Sequence, residues 1–74
     1  MKIDKVAIEA LNNVGIVRCK EVLTNFYNNK SQKINRKEGI LLALFTEYHN
    51  SNFIDNESLM INSFINLIMF RSQS

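Results

Sequence analysis

The twelve residues Leu59-Met60-Ile61-Asn62-Ser63-Phe64-Ile65-Asn66-Leu67-Ile68-Met69-Phe70 constrain this chain more than any other stretch. Nine of them are apolar. On a helix those nine cover most of the circumference and leave Asn62, Ser63 and Asn66 as one narrow polar strip. A helix that is apolar nearly all round has to be buried on nearly all sides. It is too short to span a bilayer, which needs about 20 apolar residues, and Asn62 and Asn66 would lack partners in lipid. Protein must therefore surround it. The rest of a 74-residue chain can cover one side. The remainder calls for a second copy, so Leu59, Met60, Ile61, Phe64, Ile65, Leu67 and Ile68 are the expected core and dimer-interface residues.

Length points the same way. Seventy-four residues make one small domain, and domains of this size bury only about 60% of their unfolded surface. Disulfides, metals or oligomerisation usually supply the missing stability. A single cysteine excludes an intrachain disulfide, and one cysteine with one histidine is too few for a structural zinc site of about four ligands. Oligomerisation is the option left. Proline is absent and glycine occurs twice, which suits helices because few turns are forced. Asparagine is heavily used. It serves at helix caps and in left-handed turn positions, and its abundance beside Ile and Lys is also what an AT-rich gene produces.

The net charge is +2, unevenly spread: residues 1–37 carry eight Lys/Arg against three Asp/Glu, and residues 38–74 one Arg against four Asp/Glu. The halves can attract each other within a chain or across a dimer, and a basic face can meet nucleic acid or acidic protein. The chain opens Met-Lys-Ile-Asp without the apolar run of a secretory signal. With a free cysteine, this points to a reducing cytoplasm and to no membrane association.

Along the chain, Ile3, Val6, Ala7, Ala10, Leu11 and Val14 follow the spacing of one helical face and predict an N-terminal helix over 3–14. Asn12-Asn13-Val14-Gly15 reads as its stop, with Gly15 in the left-handed conformation. Beyond it Ile16, Cys19, Val22, Leu23, Phe26 and Tyr27 form a second stripe. On one continuous helix that stripe would lie about 150° from the first, so a break near Gly15 and a second helix over 16–29 are expected, the alternative being one long helix that contacts different partners at each end. Residues 28–33 are polar and predict a loop.

Asn35, three residues before Glu38, then sets up a capping box with Asn in the Ser/Thr position. Ile34 precedes the cap and can pack onto the helix, predicted over 36–49 with Ile40, Leu41, Leu44, Phe45 and Tyr48 inward and Leu42 beside them. Gly39 in its first turn costs about 1 kcal/mol relative to Ala and leaves room for another backbone to come close. Phe53 and Ile54 are expected to plug the end of the core. Asp55 or Asn56 caps a last helix over 56–70, whose Glu57 and Arg71 suit the two ends of its dipole.

Little here reads as catalysis. His49 is the only histidine and sits at a helix end, where capping or surface exposure explains it. Cys19 lies on an apolar stripe, where free cysteine is usually a small hydrophobe. Arg18 and Lys20 beside it would lower its pKa only if it were exposed. No phosphate loop, metal motif or catalytic carboxylate pair is present. A non-enzymatic protein without cofactor, metal or small-molecule substrate is expected. Lys30, Lys33, Arg36 and Lys37 run along a loop into a helix N-terminus, a combination that can hold phosphate. No aromatic residue is interleaved to stack on bases, and a solvated loop accounts for the same residues.

From about Gly15 to Phe70 the order of features is Val22-Leu23-Thr24-Asn25-Phe26-Tyr27, then Lys33-Ile34-Asn35-Arg36-Lys37 leading into Ile40-Leu41-Leu42-Ala43-Leu44-Phe45, then a terminal helix carrying Leu59, Met60, Phe64, Leu67 and Ile68. This order resembles the YmgB/AriR family of small enteric regulators. The resemblance implies a helical homodimer without enzymatic activity, a connector of two-component phosphorelays affecting biofilm formation and acid resistance. It implies action through protein contacts, with DNA binding suggested for some members.

The expectation is thus a cytoplasmic all-α bundle of three to four helices, an intertwined homodimer that regulates by binding another protein. The alternatives are a DNA- or nucleoid-associated regulator using the basic loop 30–37, and a phage- or plasmid-encoded inhibitor or immunity protein. Four phosphate contacts would give DNA binding a log–log salt slope of about −3.6; an apolar protein contact would not show it.

Overall fold

Gly15 divides the first third of the chain into two helices. In this computed structural model, which describes residues 5–73, four helices follow in order: α1 Lys5–Val14, α2 Ile16–Tyr27, α3 Arg36–Ser51 and α4 Glu57–Ser72. Ile3 and Asp4, the first two residues of the helix expected over 3–14, lie outside the described residues. Gly15 has φ 87° and ψ 153°. The positive φ is as expected, but ψ places it beyond the left-handed helical region, in a combination open essentially to glycine alone. Its N–H closes α1 on the Leu11 carbonyl at 2.8 Å, and its carbonyl starts α2 by accepting the Cys19 N–H at 2.9 Å.

Asparagine punctuates the other helices. At the end of α2, Asn29 takes φ 57°. The Asn29 N–H donates to the Phe26 carbonyl and the Lys30 N–H to the Asn25 carbonyl, the paired bonds of a Schellman ending with Asn in the usual glycine place. The capping box of α3 forms as read: Asn35 Oδ1 accepts the Glu38 N–H at 2.9 Å and Glu38 Oε1 accepts the Asn35 N–H at 3.0 Å. For α4 the cap is Asn56, whose side chain accepts the Leu59 N–H at 2.8 Å.

All four helices contribute to one core, and every pair of them touches. Ala7, Ala10 and Leu11 enter from α1, Cys19, Val22 and Leu23 from α2, Leu41 and Phe45 from α3, and Met60, Ile61, Phe64, Ile65 and Ile68 from α4. Phe64 lies at its centre, edge-on to Phe45 at 5.4 Å and beside Tyr48 at 5.6 Å. Ala7 and Ala10 are fully buried, so α1 approaches its neighbours closely, and its most extensive contact is with α3. The radius of gyration, 11.3 Å, matches the roughly 11 Å of a closed domain of this length; an arm reaching out to intertwine would enlarge it.

Several expectations change. Three helices of the same chain cover most of α4, and the coverage does not draw on a second copy. Five of its seven expected interface residues sit in the chain's own core, Leu67 is half-buried and Leu59 is 56% exposed. Val6, Ile16 and Phe26, placed on inward stripes, are exposed. Ile54 packs on the core, but Phe53 is 98% exposed. Asn52 is extended, and successive side chains of an extended strand point opposite ways, so turning Ile54 inward turns Phe53 outward. No backbone approaches Gly39: an added Cβ would meet only Ile34 Cδ1, at 3.8 Å.

Candidate functional site

The sequence singled out the basic loop, and the structure divides its four residues. Lys37 pairs with Glu9 of α1 across 3.6 Å. Lys30, Lys33 and Arg36 are exposed and form no ion pair among the described residues. The N-terminus of α3 that was to hold phosphate is already occupied by Asn35 and by the Glu38 carboxylate. Its positive end therefore meets an anion from its own chain.

Glu38 is also half of a pair that no sequence spacing announces. The residue is 6% exposed, and its carboxylate is gripped by Arg18 of α2, whose Nε donates to Oε2 at 2.9 Å and Nη2 to Oε1 at 3.3 Å. Nη2 also donates to the Lys33 carbonyl at 3.3 Å, and Nη1 to Glu21 Oε1. Arg18 thus ties α2, the 28–35 loop and the first turn of α3 together. The guanidinium, and then the Asn35 N–H, hold the Glu38 carboxyl below the usual glutamate range. Glu38 and Glu21 in turn raise the Arg18 pKa further above its ordinary value. Arg18 is therefore not available to activate its neighbour Cys19. That thiol is buried, and desolvation pushes it up to about 11, the opposite of a nucleophile's environment.

His49 does more than occupy the last turn of α3. With Phe26, Tyr27, Asn29, Phe45 and Thr46 it lines a hollow of about 410 Å³ between the C-terminal ends of α2 and α3. Phe45 is buried at its base, edge-on to Phe26 at 6.4 Å; His49 stands perpendicular to Tyr27 at 5.8 Å and lies tilted against Phe45 at 6.3 Å. In the sequence Phe26, Tyr27 and Phe45 lie on core stripes and His49 stands alone at a helix end. Residues more than 15 positions apart are joined only by packing, and the i, i+4 spacing of Phe45 and His49 is the one local sign of a shared surface.

The third region is the outer side of α4. Leu59, Asn62, Asn66, Met69 and Phe70 are exposed there, so the polar strip noted in the sequence faces solvent between apolar ends. Asn28 Nδ2 donates to Glu57 Oε1 at 2.7 Å. Lys20 and Thr24 line a smaller hollow with Glu57, Ser58, Ile61 and Asn62. These contacts run α2 and α4 antiparallel. They carry the exposed Ile16 and Val17 toward the C-terminal half of α4.

Among the described residues no group of three or more His, Cys, Asp or Glu side chains is placed to hold a metal ion, and no helix is long and apolar enough to cross a membrane. No family model, curated protein or solved structure matches the chain.

Proposed function

We propose that this chain is a small non-enzymatic regulator that works by binding protein, both a second copy of itself and a separate partner, in the manner of the two-component connector proteins its helix order resembles. The observation that supports this most is what the closed core leaves outside. Phe53, Val17 and Phe70 are 98%, 85% and 70% exposed, the most of any large apolar side chains among the described residues. Burying a large apolar side chain is worth about 1.5–3 kcal/mol, so these three favour association. Because α4 spends its inward residues on its own chain, the homodimer is one of two closed chains side by side rather than intertwined.

A photo-cross-linking residue at Val17 or Phe70, expressed in cells, tests the partner half of this reading. The expected product is an adduct of one discrete mass that differs from twice the chain. Absence of any such adduct at both positions would refute it. The DNA reading makes the opposite prediction in a salt titration. With Lys37 held by Glu9, three free cations give a slope of about −2.7. Duplex binding with that slope, lost on replacing Lys30, Lys33 and Arg36 by Glu, would favour the basic loop over the apolar surface.

A further inference from the structure

Two features at one end of this molecule lack counterparts within it. One is the Phe53 ring, 98% exposed in the link between α3 and α4. The other is the aromatic hollow of Phe26, Tyr27, Phe45 and His49, rimmed by Asn29 and Thr46. Its volume of about 410 Å³ is ample for a phenyl ring, since a cavity of about 150 Å³ takes up benzene. Edge-to-face contacts with the lining rings are the geometry a further aromatic ring prefers. Phe53 follows His49 by four residues, which bounds their separation at about 14 Å. The ring and the hollow are thus neighbours at the C-terminal end of α3.

We infer that the occupant of the hollow is Phe53 of a second copy of the chain. A patch carrying both a projecting ring and a matching recess is self-complementary. A two-fold rotation sets each ring over the other chain's hollow, and the contact closes after two copies. Charge agrees with this pairing. Asp55 lies two residues beyond Phe53, Lys30 adjoins the rim residue Asn29, and neither has an ion-pair partner among the described residues. Seating the ring brings the acidic residue toward the basic one. The proposal rests on the self-association half of the function above and specifies the surface that carries it.

The test uses two variants and their mixture, with mass followed by light scattering over a dilution series. Phe53→Ala removes the ring; because that side chain is exposed, helix content by circular dichroism should not change. Thr46→Trp blocks the hollow from its exposed rim. Each alone should weaken the dimer about a hundredfold, since two ring contacts are lost at once. Mixed in equal amounts, they restore one ring to one open hollow, and a mixed dimer only about tenfold weaker than wild type should appear. If Phe53→Ala dimerises as wild type does, the dimer stands and this surface is wrong. Wild-type protein that stays monomeric throughout overturns both. A hollow that is filled by Phe53 of its own chain, seen as a contact between Phe53 and Phe45 protons in the isolated monomer, also overturns it.

Discussion

Glu38 has a different charge environment from every other side-chain carboxylate among the described residues. It is nearly buried, forked by Arg18 and built into the capping box of α3. Because its folded pKa is depressed, its contribution to stability is complete above the ordinary glutamate range and is lost as pH falls through the lowered value. Urea unfolding between neutral and strongly acidic pH should show the wild-type midpoint dropping on the acid side. Glu38→Gln retains a side chain able to serve in a capping box but not the charge, so its midpoint should start lower at neutral pH and depend less on acid. Equal acid slopes in the two proteins would show that the Arg18 pair contributes nothing. Cys19 gives a second check at this scale. With its thiol buried and pushed up to about 11, it should react with a thiol reagent only as fast as the protein unfolds. Prompt labelling of the folded protein would contradict its placement. The sequence placed Cys19 correctly as a small apolar residue, because its stripe was legible. It missed the Arg18–Glu38 pair, because two charged residues twenty positions apart meet only once α2 and α3 are packed.

At the scale of the element, what could be read was whatever is local. The break at Gly15, the capping box at Asn35 and the cap of α4 depend on residues within four positions of each other, and all appear with boundaries within two residues of those expected. Gly39 is the exception: its place in the first turn suggests room for another backbone to come close, and the packing brings none there. Ile34 lies just before the cap and Gly39 four residues beyond it, the two positions of a hydrophobic staple, and a methyl group at residue 39 would touch Ile34 at 3.8 Å. Gly39→Ala should therefore stabilise the fold by about 1 kcal/mol. Gly15→Ala should do the reverse by about 1–3 kcal/mol, through its positive φ and not through crowding, since nothing lies within 4 Å of an added Cβ. Chemical denaturation of the two variants reads both signs. A destabilised Gly39→Ala would mean that the first turn of α3 is tighter than its geometry indicates.

The whole molecule settles the question that α4 raised. Its near-continuous apolar surface did demand protein on most sides, and the composition could not say whose. What tipped the answer was α1, whose two alanines gave a weak apolar signal in sequence yet let the helix lie close enough to complete the enclosure. Phe64 now separates a core from an interface. It is fully buried within one chain against Phe45 and Tyr48, and truncating such a ring to Ala costs about 3–5 kcal/mol. A domain of this length has a total stability of only about 4–11 kcal/mol. Phe64→Ala should lose most of that, in one transition, because every helix touches every other. Its thermal midpoint should be low at every protein concentration. Phe53→Ala should behave differently, keeping the midpoint of the dilute wild type and showing the rise only at about hundredfold higher concentration, since only association depends on mass action. If instead Phe64→Ala were stable and monomeric, α4 would be the surface between chains and not the centre of one.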